Sequence, residues 1–90
     1  MENKVNNFRM HYYNCELIVK KYSKYIKNNH ILDIGSNVGF FSEAILKNIN
    51  YKSIHLFEPS KEYFEYSKHL LLKYNNIYFN NYGLRNKNVV

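Results

Sequence analysis

Two acidic residues and a segment bracketed by glycines are the parts of this chain whose types and spacing could do chemistry. Gly35 and Gly39 enclose three residues with Asn37 in the middle, and Asp33 stands two positions before the first glycine. Glycine adopts a positive φ at no steric cost and asparagine tolerates one, so residues 35–39 predict a tight turn, here named the glycine turn. Its backbone can approach a ligand closely, and a helix that follows it would direct free amide groups at that ligand.

Glu58 is the second acid, and it follows the next apolar run about 20 residues beyond the glycine turn. In nucleotide-binding α/β folds, a carboxylate at this point accepts hydrogen bonds from the ribose. The alternative interpretation is a solvated acid that precedes a turn at Pro59. The combination of turn, following helix and acid favours ribose binding.

The glycine spacing indicates which nucleoside fits. A dinucleotide-binding turn has the pattern Gly-x-Gly-x-x-Gly. Those positions fall here on Gly35, Asn37 and Phe40, so two glycines are missing, and the Phe40 ring would crowd a pyrophosphate. An acid beside such a turn suits a ligand that carries a cationic group and no phosphate. S-adenosyl-L-methionine fits this description better than NAD.

The elements that must position these residues follow from the apolar periodicity. Three short apolar runs predict strands: residues 30–34, 53–57 and 77–79. Two periodic segments between them predict helices: residues 38–49 and 60–74. An apolar stripe over residues 8–28 predicts a further amphipathic helix, which ends at Asn28 and Asn29.

The predicted fold class is therefore α/β. We expect a partial Rossmann-like, doubly wound parallel sheet of three strands with flanking helices, preceded by an N-terminal amphipathic helix. The first strand, residues 30–34, is apolar at successive positions, which is typical of a central parallel strand covered by helices on both faces.

The composition excludes several classes of protein. The chain has 90 residues, 46% of them hydrophobic, which suits one small globular domain. No run of about 18 apolar residues is present, so we predict no membrane span, and the polar first seven residues give no secretory signal. The single cysteine, Cys15, lies in the helical stripe and is interpreted as a core residue in a reducing, cytoplasmic compartment.

The net charge of +6 raises the question of nucleic acid. The lysines are scattered along the chain, which favours solvated helix faces over a binding patch. The four histidines lack metal-ligand spacing, so no metal site is predicted.

Three motifs together resemble a known family. They read LDIGSNVGFFS at residues 32–42, FEP at residues 57–59 and NYGL at residues 81–84. These segments resemble the FkbM-type S-adenosylmethionine-dependent methyltransferases over residues 30–88. The first two motifs are fairly specific, and the third is weak.

The resemblance implies a cofactor, S-adenosyl-L-methionine, and a set of residues that bind it. Four residues of the first motif would line its methionine end: Asp33, Gly35, Asn37 and Gly39. Glu58 would hold the ribose and Asn81 would lie near the adenine. The cofactor-binding set extends to three neighbours of these residues: Ser36, Phe40 and Pro59. The implied reaction is methyl transfer to a hydroxyl group of a sugar or another small-molecule or glycan acceptor, with no catalytic residue identified.

The resemblance also implies a domain division. Residues 1–29 form the N-terminal helix, and residues 30–90 form the N-terminal half of a Rossmann-like methyltransferase domain. Since the family's sheet has seven strands, we expect a truncated methyltransferase, inactive alone, whose first strand leaves an open edge prone to self-association. Two alternatives stay open: a remnant without enzymatic function, and a small basic nucleic-acid-binding module that uses its tyrosines for stacking.

Overall fold

The computed structural model describes residues 2–84, and side chains within this range from residue 10 onward. Helices and strands follow in this order: α1 (Glu2–Lys21), α2 (Ser23–Ile26), β1 (His30–Ile34), α3 (Phe40–Asn48), β2 (Ser53–Phe57), α4 (Lys61–Leu71) and β3 (Ile77–Asn80). The predicted alternation of strands and helices is confirmed. The N-terminal helix differs from the prediction, because it is interrupted at Tyr22, where φ is −106° and ψ is 16°.

Asparagines in the left-handed conformation lie in two of the segments between helices and strands. Asn28, with a φ of 62°, directly follows the C-cap of α2 at Lys27, whereas Asn76, with a φ of 59°, lies directly before β3 and beyond the C-cap of α4 at Leu72. Ser60 caps α4 at its beginning, where its side chain accepts a hydrogen bond from the Tyr63 amide at 3.4 Å. Local residue choice therefore sets the bounds of these elements.

The three strands form one parallel sheet in the order β1-β2-β3. The register places alternate residues of neighbouring strands on one face, where they pack on α1, α3 and α4: Ile31, Asp33, Ile54, Leu56, Ile77 and Phe79. Helix side chains complete this core: Cys15, Val19, Phe40, Ala44, Ile45 and Leu71.

The opposite face of the sheet, here named the open face, consists of the remaining strand residues: His30, Leu32, Ile34, Ser53, His55, Phe57, Tyr78 and Asn80. Leu32 is 60% exposed, Ile34 58% and Tyr78 50%. The prediction that helices cover β1 on both faces is therefore wrong for the described residues. Both crossovers lead in one direction across the sheet, and right-handed crossovers in one direction place their helices on one face.

β1 lies at the edge of the sheet formed by the described residues, because it pairs with β2 alone. This open edge is as predicted. Within the same range, no helix combines the length and the apolar character that crossing a bilayer needs.

Candidate functional site

The glycine turn is fastened to the end of β2 by its backbone. The amides of Gly35 and Ser36 both donate to the Phe57 carbonyl, at 2.8 and 3.1 Å. Gly35 has a φ of +70° and Asn37 a φ of 54°, which confirms the predicted left-handed residues. A Cβ built on Gly35 would meet no atom within 4 Å, so the backbone is open to a ligand here.

Gly39 has a packing role in the structure, and its role in binding the cofactor stays a prediction. It caps α3 with a φ of +93°, and a Cβ there would lie 3.0 Å from both Ser67 Cβ and Leu71 Cδ1 of α4. The missing side chain therefore lets α3 begin against α4. The small residue Ser67, one turn before Leu71, is the sequence signal that could have indicated this close approach.

Phe40 also has a packing role in the structure. Its side chain is 7% exposed, and its ring centroid lies 5.9 Å from that of His11 and 6.2 Å from that of Tyr12, both on α1. The ring therefore helps to hold α1 on α3. A role of Phe40 in binding the cofactor stays a prediction.

Glu58 is buried at the end of β2 and is bonded to the glycine turn. Its side chain is 5% exposed. Oε1 accepts a hydrogen bond from the Asn37 amide at 2.7 Å, and Oε2 accepts one from the Ser60 amide at 2.8 Å. The alternative of a solvated acid is therefore wrong. Glu58 joins the turn after β1 to the first turn of α4, and no local sequence pattern indicates these two amide partners.

Asp33 lies on the helix-covered face, beneath the turn. Its Oδ2 accepts a hydrogen bond from the Ser42 hydroxyl of α3 at 2.7 Å. Burial raises the pKa of Asp33 above its usual value and the charge of Glu58 adds to this, whereas the Ser42 hydrogen bond opposes it. The buried environment makes the ionised form of Asp33 less favourable, and a cation bound nearby would offset this cost of ionisation.

Three further predicted residues lie in the glycine turn or beside Glu58: Ser36, Pro59 and Asn81. Ser36 is 6% exposed, and its Oγ has no hydrogen-bond partner among the described residues. Asn81 donates from Nδ2 to the carbonyls of Glu58 at 2.9 Å and Pro59 at 3.4 Å, so it braces the chain after β3 against the end of β2. The structure thus brings Asn81 and Pro59 together with Glu58 at the carboxyl ends of the strands.

The Asp33→Asn variant is expected to raise the free energy of unfolding at pH 7. Asparagine retains an oxygen acceptor for Ser42 and removes the buried charge. Since the folded-state pKa of Asp33 lies above the unfolded value of 3.8, the carboxyl stabilises the fold below that pH, and this stability is lost as the pH rises through the folded pKa. The increase in the free energy of unfolding should therefore vanish at acid pH.

Thermal unfolding of both proteins at neutral and acid pH measures this effect. The control is Glu65→Gln, at an exposed position of α4, which should change little at either pH. If Asp33→Asn were less stable than the unmodified chain at pH 7, this would contradict the conclusion that burial raises the pKa of Asp33.

The chain was compared with protein-family models, with curated proteins and with solved structures. No protein-family model matches the chain, and no curated protein does. Among solved structures, it is similar to a SAM-dependent methyltransferase of the DUF858 family from Leishmania major, with 24% identity and a TM-score of 0.54 over 62% of this chain and 22% of that one. It is also similar to an S-adenosylmethionine-dependent methyltransferase from Clostridium acetobutylicum, with 16% identity and a TM-score of 0.49 over the same shares.

The likeness is one of fold. Over the 62% of this chain that it matches, the Leishmania structure shows the same fold, which agrees with the predicted Rossmann-like α/β architecture. The match spans about a fifth of the length of that protein, since it covers 22% of its chain. The resemblance to the FkbM-type family in particular stays a prediction.

Proposed function

We propose that this chain binds S-adenosyl-L-methionine at the glycine turn, as part of an FkbM-type methyltransferase that methylates a hydroxyl of a sugar or other small molecule. The proposal rests above all on the 2.7 Å hydrogen bond from the Asn37 amide to Glu58 Oε1. It joins the acid of β2 to the turn after β1. In doubly wound sheets, nucleosides bind at this end of the strands.

The residues of the site fit a nucleoside without phosphate. Gly35 leaves the backbone open, as no atom lies within 4 Å of a Cβ built there. Each oxygen of the Glu58 carboxylate receives one amide hydrogen bond and keeps lone-pair capacity for a ribose hydroxyl. Asp33 and Glu58 place two acids here, which favours a cationic sulfonium and disfavours a pyrophosphate.

S-adenosyl-L-methionine supplies a methyl group activated by its sulfonium. When bound, it would supply this methyl group to the oxygen of an acceptor hydroxyl. Such a transfer depends mainly on alignment of the two reactants. The part of this chain is to hold the nucleoside: Glu58 would bind the ribose, the turn would receive the methionine end, and Asn81 would lie near the adenine. We assign no catalytic base.

Thermal unfolding with S-adenosyl-L-homocysteine tests the proposal. At ten times its dissociation constant, a ligand of the folded state adds about 1.4 kcal/mol, which raises the melting temperature of a domain of this size by about 7 °C. We expect this shift for the unmodified chain and for Glu65→Gln. Glu58→Gln should lose most of it, because the amide nitrogen that replaces one carboxylate oxygen cannot accept from a hydroxyl.

NAD serves as the ligand control, since the turn lacks the glycines that admit a pyrophosphate, and it should give no shift. The proposal fails if S-adenosyl-L-homocysteine gives no shift, or the same shift with Glu58→Gln. Affinity for oligonucleotides that falls steeply with salt would instead support the nucleic-acid alternative.

A further inference from the structure

Among the described residues, the Ser36 hydroxyl is the only buried side-chain oxygen or nitrogen that lacks a hydrogen-bond partner. The residue is 6% exposed and directly follows Gly35 in the glycine turn. Its amide donates to the Phe57 carbonyl at 3.1 Å and its carbonyl accepts from the Gly39 amide at 3.0 Å, so its backbone is held in place. A buried hydroxyl without a partner is rare and destabilising, and this one points to a group that binds at the turn.

The backbone amides of the glycine turn are largely engaged within the chain. Those of Gly35 and Ser36 donate to the end of β2, and that of Asn37 donates to Glu58. That of Gly39 donates back to the Ser36 carbonyl. The turn therefore has few backbone donors left for a ligand, and the Ser36 hydroxyl is a donor that the fold does not use.

The charges of the site indicate which group of the ligand needs this donor. S-adenosyl-L-methionine carries a sulfonium, an ammonium and a carboxylate. Asp33 and Glu58 favour the two cations and repel the carboxylate. The residues predicted to bind the cofactor include no lysine and no arginine, so within this set only neutral donors can hold the carboxylate.

We propose that the Ser36 hydroxyl donates a hydrogen bond to the carboxylate of the ligand, so that the site selects nucleosides that carry an amino-acid end. This inference rests on the proposed function, which places the same ligand at the same turn. A serine hydroxyl exchanges among three staggered positions, so it can turn toward a ligand while the backbone keeps its hydrogen bonds. The backbone beside it is open, since no atom lies within 4 Å of a Cβ built on Gly35.

The stability of the free chain provides the first test. Ser36→Ala is expected to raise the melting temperature by about 4–8 °C, because it removes a buried hydroxyl that has no partner. The matched control is Ser53→Ala. Ser53 is also 6% exposed, but its Oγ lies 2.6 Å from His30 Nδ1 at the opposite end of the strands, so this variant should lower the melting temperature. If Ser36→Ala melted below the unmodified chain, the hydroxyl would have a partner in the fold and the proposal would be overturned.

Calorimetric titration with two ligands provides the second test. S-adenosyl-L-homocysteine has the amino-acid end, whereas methylthioadenosine lacks it and keeps the adenosine and the sulfur. Ser36→Ala should raise the dissociation constant of S-adenosyl-L-homocysteine about tenfold or more, because a hydrogen bond to a charged group is lost. The same variant should leave the dissociation constant of methylthioadenosine unchanged, and Ser53→Ala should leave both unchanged.

The outcomes separate this inference from the proposed function. If the unmodified chain binds S-adenosyl-L-homocysteine and Ser36→Ala binds it equally well, the role of Ser36 is overturned and the proposed function stands. An equal loss of affinity for both ligands overturns that role as well. An unmodified chain that binds neither ligand overturns the proposed function, and this inference with it.

Discussion

Replacing Glu58 by alanine is expected to lower the free energy of unfolding by about 3 kcal/mol, because hydrogen bonds to a charged acceptor contribute about 1.5–3 kcal/mol each. The variant removes both oxygens that accept from the amides of Asn37 and Ser60. The glycine turn and the first turn of α4 would lose their common acceptor. In domains whose total stability is about 5–15 kcal/mol, this is a large fraction.

Urea unfolding measures the effect, and two variants define its origin. Glu62→Ala removes an exposed acid from the first turn of the same helix and should cost no more than about 1 kcal/mol. Glu58→Gln keeps one acceptor oxygen and should be intermediate. Unfolding of Glu58→Ala at the same urea concentration as the unmodified chain would show that the carboxylate does not hold the turn.

The Gly39→Ala variant should lose a comparable amount, about 3 kcal/mol, for a different reason. An L-residue at a φ of +93° costs about 1–2 kcal/mol, and overpacking adds about 1–3 kcal/mol. The added Cβ would lie 3.0 Å from Ser67 Cβ, which belongs to the body of α4 and cannot rotate away. The start of α3 would therefore separate from α4.

Gly35→Ala is the control for backbone conformation alone. Its φ is +70°, and nothing lies within 4 Å of the added Cβ, so only the conformational cost applies. The difference between the two variants in urea unfolding isolates the packing contribution. Equal losses for Gly39→Ala and Gly35→Ala would contradict the packing role assigned to Gly39.

The two glycines show that the sequence predicts the turn but does not predict what surrounds each glycine. Both were expected to admit a ligand, because glycine spacing reports where the backbone is unusual. Only the structure separates them: Gly35 borders open space, and Gly39 borders α4. The distinction depends on a helix that begins about 20 residues later along the chain, so no local pattern contains it.

Asp33 and Glu58 show the same division. Their places at the ends of β1 and β2 follow from the sequence, because apolar runs followed by an acid and a turn mark the carboxyl end of a strand. Their hydrogen-bond partners do not follow from the sequence. Glu58 bonds to backbone amides and Asp33 to the hydroxyl of Ser42, and these contacts arise only after β1 and β2 pair and α3 packs on them.

By itself, the sequence determined the three strands, the helices between them, the left-handed asparagines and the strand ends at which the acids lie. These features depend on residue type and on periods of two to four residues, which are local. The tertiary structure decided that the helices cover one face, that Gly39 and Phe40 pack on neighbouring helices, and that the open face carries no charge. Those outcomes depend on the direction of the crossovers and on the register of the strands, which are set only when distant segments meet.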